Sequence, residues 1–251
     1  MKFGKKLLGV LVIPSVIILS LIILLILLKK YTENFKDRKK YTIVCSRYNK
    51  NTDFLNKLSN NFDIKVIQKN GIKHDTKYVD HLAPNIANEA TSYLSYIIKH
   101  YDDLPENMIF IHDENKSWHH DGLITDNINK WIEEYEKTNG YYEFNNSCTD
   151  KCGWCYKNKT FNQLWNQLFK NYKLENHIFD GTCCAQFIIS KERIQKNSKE
   201  FYIKYYNWIV NNTTGEGNGD EKDPYSGFNT SRYAEWLWKA IFHKEELDKS
   251  V

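Results

Sequence analysis

Residues 112–122 read His-Asp-Glu-Asn-Lys-Ser-Trp-His-His-Asp-Gly and gather many of the groups in this chain able to do chemistry. Asp113 and Glu114 are adjacent carboxylates, His112, His119 and His120 are imidazoles, and Trp118 stands among them. Hard oxygen ligands of this kind suit Mg2+ or Mn2+ bound together with a substrate diphosphate. A carboxylate or an imidazole such as His119 would equally serve as a general base. The same residues also fit a solvated polar loop in which Trp118 is a packing anchor. The spacing departs from the H-E-x-x-H pattern of helical zinc proteases, which argues against that chemistry. A zinc-dependent hydrolase built on the histidines is a separate class, and it requires stoichiometric zinc.

Other stretches carry weaker signals. Ser46-Arg47-Tyr48-Asn49 follows a β-type run, and Arg47 either clamps a phosphate bidentately or forms an ordinary ion pair. Ser190-Lys191-Glu192-Arg193 follows another such run and offers a further acid. The six cysteines are Cys45, Cys148, Cys152, Cys155, Cys183 and Cys184. Cys148, Cys152 and Cys155 lie in a polar insert at about residues 140–160. With His177 or Cys183 they would make a structural zinc site. In an oxidising compartment they would pair as disulfides, and free thiols are the third state. Zinc is the least favoured of these, and none is catalytic. Cys183-Cys184 has neither a helix N-terminus nor a designated histidine, so packing or a disulfide fits better than a nucleophile. Thr213–Gly219 is glycine-rich without the Lys-Ser/Thr of a phosphate loop, so it reads as a flexible loop.

The elements that must position these groups alternate between strand and helix. Tyr41–Ser46, Asp63–Gln68, Met108–His112 and Ala185–Ser190 read as strands. Phe54–Leu58, Pro84–His100, Asp126–Glu136, Phe161–Tyr172, Lys191–Ile194, Lys199–Val210 and Ser231–Phe242 read as helices, several with an apolar stripe. This order predicts an α/β fold with a mainly parallel sheet flanked by helices. In such sheets ligands bind beyond the carboxyl ends of the strands.

Leu7–Leu28 contains no charged residue, long enough for a helix to cross the hydrocarbon core of a bilayer. It lacks the small-x-small site of a cleaved signal peptide, so a retained anchor is expected. The expected organisation is a short tail (1–6), one transmembrane helix (7–28), a basic stem (29–40) and a single domain (41–251). Residues 1–40 hold nine Lys/Arg and two Asp/Glu, while the other 26 Lys/Arg and 29 Asp/Glu leave the rest of the chain at −3. The basic charge is therefore juxtamembrane, where anionic headgroups are the partner. The folded part has no basic run, which argues against nucleic-acid binding. Lys/Arg distribution around the anchor favours a cytoplasmic domain, whereas the cysteines and the N-x-S/T sequons favour a lumenal one.

Four strings together resemble a widespread domain-of-unknown-function family that is similar to GT-A-fold glycosyltransferases. They are Ile43-Val44-x-Ser46-Arg47-Tyr48-Asn49; Pro84-Asn85-x3-Glu89-Ala90-x2-Tyr93-Leu94-x-Tyr96-Ile97-Ile98; Cys183-Cys184-Ala185-Gln186-Phe187-x2-Ser190-x-Glu192-Arg193-Ile194; and Arg232-x2-Glu235-x-Leu237-Trp238-x2-Ile241-Phe242. The resemblance spans Tyr41 to about Phe242 and implies a GT-A-like, Rossmann-like sheet. It also implies sugar transfer from a nucleotide-sugar donor to a glycan or protein acceptor. Ser46, Arg47 and Asn49 would then seat the nucleotide, and Asp113 and Glu114 would hold Mn2+ or Mg2+. Glu192 or Glu235 would face the acceptor. GT-A enzymes usually carry Asp-x-Asp at the matching strand end, and His112-Asp113-Glu114-Asn115 departs from it. Anchor, stem and domain follow the order of a type II membrane protein, which implies a lumenal domain. A non-catalytic, membrane-tethered glycan- or protein-binding domain of the same fold is the alternative.

Overall fold

The computed structural model describes residues 17–26, 39–71, 76–118, 120–145, 158–174, 185–215 and 222–243. The chain divides into two units, Met1–Lys39 and Lys40–Val251. In the first, residues 17–26 form a helix (α1) whose apolar side chains, Ile17 to Ile26, are exposed. Among the described residues no helix is long and apolar enough to cross a membrane. The rest of the 7–28 run and the stem up to residue 38 lie outside the described residues.

The second unit is a six-stranded sheet flanked by helices. The strands are β1 (Tyr41–Arg47), β2 (Asp63–Lys69), β3 (Val79–Ala83), β4 (Asn107–His112), β5 (Tyr141–Glu143) and β6 (Phe187–Ser190). Their spatial order is β3-β2-β1-β4-β6-β5. β1 pairs in parallel with β2 and β4, and β2 with β3. β6 runs antiparallel to both β4 and β5. β1 is buried at every residue, as a central strand covered on both faces must be.

The helices are α2 (Phe54–Leu58), α3 (Ala90–His100), α4 (Ile124–Tyr135), α5 (Lys159–Leu168), α6 (Lys191–Gln195), α7 (Lys199–Asn212) and α8 (Gly227–Phe242). Alternation along β1 sends Val44 to one face and Ile43 and Cys45 to the other. The Val44 face packs residues of α3, α5, α7 and α8. The Cys45 face packs residues of α2 and α4. Tyr93, Phe110, Phe187 and Trp238 form the aromatic heart of the first face, with Tyr93 and Phe110 rings 4.8 Å apart.

Three departures from the sequence reading matter for function. β6 is antiparallel: Ser190 faces Asn107 at the start of β4, so Glu192 leaves the sheet at the amino edge of the parallel strands. β3 and β5 are additional strands at the two sheet edges. Finally, α3 begins at Ala90 and not at Pro84, because Ala87 (φ 50°) and Asn88 (φ 46°) adopt left-handed backbone that interrupts any helix there.

Candidate functional site

The chain runs from β1 outward to β2 and β3, then returns to the other side of β1 with β4. That reversal makes β1 and β4 parallel neighbours, and open α/β sheets bind ligands beyond the carboxyl ends of such strands. Ser46 and His112 are register partners at that edge.

The loop leaving β1 is held rigidly. Asp113 is buried, and its Oδ2 accepts hydrogen bonds from the backbone N–H groups of Tyr48 (2.8 Å) and Lys50 (3.0 Å). Arg47 is also buried; its Nε donates to the Lys50 carbonyl at 3.1 Å and its Nη1 to Gln68 Oε1 at 2.7 Å. Gln68 Nε2 in turn donates to the Tyr48 carbonyl at 3.2 Å. At the exposed rim, Glu114 pairs with Lys50 at 3.1 Å. Ser46 Oγ donates to Ser92 Oγ at 2.8 Å, which ties β1 to α3. Asn49 and Tyr48 are exposed. As arranged, Asp113 organises the loop and Glu114 answers Lys50. Among the described residues no group of three His, Cys, Asp or Glu stands where it could hold a metal ion.

A second group lies on the α3 side of the same edge. Glu89, just before α3, is buried, and its Oε2 lies 3.8 Å from His112 Nε2. Burial raises its carboxyl pKa to about 7, although a backbone hydrogen bond and the nearby Lys69 charge oppose the rise. Glu235 of α8 is raised to about 8, by burial first and then by Glu89, with Arg232 opposing. Lys69, at the end of β2, is lowered to about 7 by burial, with Glu89 opposing. Its Nζ donates to Thr91 Oγ1 (2.6 Å) and to the carbonyl of Pro84 (3.2 Å), and it reaches that of Ile86 (3.5 Å). Lys69 thus braces the left-handed turn that delivers Glu89. Two neighbouring carboxyls held above the usual carboxylate range, one of them beside an imidazole, make this a candidate acid–base centre.

Around that centre several buried polar atoms have no hydrogen-bond partner: Glu89 Oε1, Tyr93 Oη, Tyr205 Oη and Trp238 Nε1. Left so, each costs about 1–3 kcal/mol. Tyr93 is one turn along α3 from Glu89, and Trp238 one turn along α8 from Glu235. The Trp238 ring lies 6.1 Å from that of Tyr93 and 6.3 Å from that of Tyr205 on α7.

The structure therefore brings Ser46, Arg47, Asn49, Asp113 and Glu114 to one edge of the sheet and places Glu235 in the acid group with Glu89. Glu192 is exposed at the opposite edge, because β6 is antiparallel. His119 lies outside the described residues, as do Cys148, Cys152, Cys155, Cys183 and Cys184. His120 is buried against Trp131 (ring centroids 5.2 Å apart) and Phe144. Trp118 is 72% exposed, so it is no packing anchor. Sequence reasoning left Glu89, Lys69, Tyr205 and Trp238 unassigned. Only Glu89 carried a signal, as a lone acid between a Pro-Asn turn and an apolar helical stripe.

Fold and site together define an α/β protein with a hydrogen-bonded β1 loop and a candidate acid–base centre at the carboxyl edge of a mainly parallel sheet. The chain belongs to the family described as Protein of unknown function (DUF3431), whose model matches residues 42–250. No curated protein and no solved structure matches it.

Proposed function

We propose that this chain is a membrane-anchored transferase of GT-A-like fold that moves a sugar from a nucleotide-sugar to a hydroxyl of a glycan or protein acceptor. One observation carries the reading: a buried carboxyl with an unmet oxygen, Glu89, beside His112 at the ligand-binding edge of the sheet. With a pKa near 7, Glu89 is poised to take a proton from an acceptor hydroxyl at physiological pH. As the acceptor oxygen bonds to the anomeric carbon, the bond from that carbon to the diphosphate oxygen breaks. The hydroxyl proton passes to Glu89, and the nucleoside diphosphate leaves with the bonding pair. His112 then relays the proton outward.

The β1 loop serves the nucleotide half. Asp113, Arg47 and Gln68 fix its backbone, so Ser46, Tyr48, Asn49 and Lys50 meet a nucleotide in a preset shape, which lowers the ordering cost of binding. A divalent cation, if bound, would offset charge on the leaving diphosphate. Asp113 spends Oδ2 on two backbone N–H groups and Glu114 faces Lys50, so this pair does not form a cation cage as it stands and no step is routed through one. The exposed apolar side chains of α1 and the uncharged Leu7–Leu28 run support a single-pass anchor, with the domain lumenal.

The test uses full-length protein in detergent, melted against a panel of nucleoside diphosphates with and without Mn2+. At least one diphosphate should raise the melting temperature. Glu89→Gln should keep that rise and lose sugar transfer. A panel in which no nucleotide shifts the melting curve refutes the transferase reading. Release of the protein from membranes by alkaline carbonate refutes the anchor.

A further inference from the structure

N-x-S/T sequons begin at Asn115, Asn145, Asn158, Asn211, Asn212 and Asn229. A glycan attached to such an asparagine is bulky and hydrated, so the folded protein must leave the amide in solvent. Five of the six commit Nδ2, the atom a glycan would take, to the fold. Asn115 Nδ2 donates to Thr125 Oγ1 (3.3 Å) while its Oδ1 accepts from the Thr125 N–H (3.1 Å), which ties the β4 loop to the start of α4. Asn145 and Asn229 are buried, and their Nδ2 atoms donate to the carbonyls of Gln186 (3.1 Å) and Asp223 (2.7 Å). Asn158 caps α5 by accepting from the Phe161 N–H at 2.9 Å, and its Nδ2 donates to Tyr233 Oη at 3.0 Å. Asn212 Nδ2 donates to the Trp208 carbonyl at 2.7 Å. A sugar ring on any of these nitrogens would compete with that contact, and at Asn145 and Asn229 it would have to be buried as well.

Asn211 differs. It stands in the last turn of α7, is exposed, and has no side-chain hydrogen-bond partner among the described residues. Glu200, Lys204, Asn207 and Asn211 recur at three- and four-residue steps and are all exposed, so they form the solvent face of α7. Tyr202, Tyr205, Trp208 and Ile209 are its buried residues. Thr213, the hydroxyl residue of the sequon, is the C-cap, so the sequon crosses from the end of a helix into a surface loop. We propose that Asn211 carries an N-linked glycan and that the other five sequons stay unmodified in the folded protein. The proposal rests on the lumenal placement of the domain. The donor class is a sugar carried on a lipid diphosphate. Asn211 Nδ2 bonds to the anomeric carbon of that sugar, and the bond from this carbon to the diphosphate oxygen breaks. The lipid diphosphate leaves with the bonding pair, and one amide proton is released.

The test translates the full-length chain into glycosylation-competent endoplasmic-reticulum vesicles. Protease added outside the intact vesicles should leave the domain undigested. The chain should run as one slower band that peptide N-glycosidase returns to the unmodified position. Asn211→Gln should lose the slower band completely, although it keeps the overlapping sequon Asn212-x-Thr214. Asn212→Gln keeps Asn211-x-Thr213 and should retain the band. Asn211 lies on the solvent face, so purified Asn211→Gln should melt where the glycosidase-treated parent does, which separates loss of the glycan from loss of the fold. A protected domain with no slower band, with a second one, or with a band that survives in Asn211→Gln overturns the site and leaves the lumenal reading standing. Digestion of the domain from outside refutes the lumenal placement and takes the glycan site with it.

Discussion

Replacing Glu89 with Gln keeps the side chain's shape and removes its charge, and the outcome should depend on pH. In the fold, burial lifts the Glu89 carboxyl from an ordinary 4.5 to about 7. A raised carboxyl pKa means that the folded state holds its proton longer than the unfolded state. Its contribution to stability is therefore intact below about 4.5 and is lost as pH rises through about 7. The difference corresponds to about 3 kcal/mol, the most that Glu89→Gln can recover above neutrality. Several groups face this carboxyl: Lys69 from β2 and His112 from β4 temper the gain, Glu235 from α8 adds to it as a like charge, and Tyr93 from α3 and Tyr205 from α7 are neutral phenols. Lys69 matters most, because it loses its counter-charge in the variant. The assay is thermal melting of parent and variant at about pH 5 and about pH 8, where each kcal/mol moves the midpoint by about 2–4 °C. The variant should match the parent at the acid end and exceed it at the alkaline end. A variant less stable than the parent at alkaline pH, or an equal difference at both, refutes the idea that burial of charge sets this centre.

Asp113→Asn should destabilise the protein by about 1–2 kcal/mol in chemical denaturation, because two charge-assisted bonds to Tyr48 and Lys50 become neutral ones; an unchanged midpoint would separate Asp113 from the loop. Gly140→Ala should cost more than about 1 kcal/mol, since Gly140 has φ +84° and an added Cβ would lie 2.7 Å from Ser190 Oγ; a melting curve like the parent's would show that the β5–β6 junction yields. Asp80 is held well below the carboxylate range, with burial outweighed by hydrogen bonds from His100, Lys99 and His81. Its stabilisation is therefore present above about pH 4 and fades as pH falls below that. Asp80→Asn should lower the melting temperature at neutral pH and close the gap in acid, and a gap independent of pH would count against the carboxylate as hub.

The central sheet was legible because Tyr41–Ser46, Asp63–Gln68 and Met108–His112 are apolar enough to announce buried strands. Strand direction was not legible, since Phe187–Ser190 has the same composition whichever way it runs. Glu192 was therefore placed at the wrong edge. β3 was missed because Asp80 and His81 interrupt its alternation; both are engaged around one carboxylate. At the site, Asp113 stood out as an acid at a strand end, but not its commitment to backbone N–H groups three to five residues past β1's Cys45. Glu89 and Trp238 read as ordinary helix residues because burial of a polar atom without a partner is a property of three-dimensional packing. Tyr205, from another helix, meets them only in the fold.

The left-handed pair Ala87–Asn88 also constrains how this stretch can drift in sequence. Asparagine tolerates positive φ better than most residues, and alanine is among the smallest side chains able to occupy such backbone. Ala87 is completely buried, so a larger side chain there would meet both backbone strain and a lack of room. Glycine would relieve the strain but would loosen the unfolded chain and weaken specification of the turn. Few amino acids meet both demands at position 87, so a homologous chain that keeps a buried acid before this helix should keep a small residue two places ahead of it.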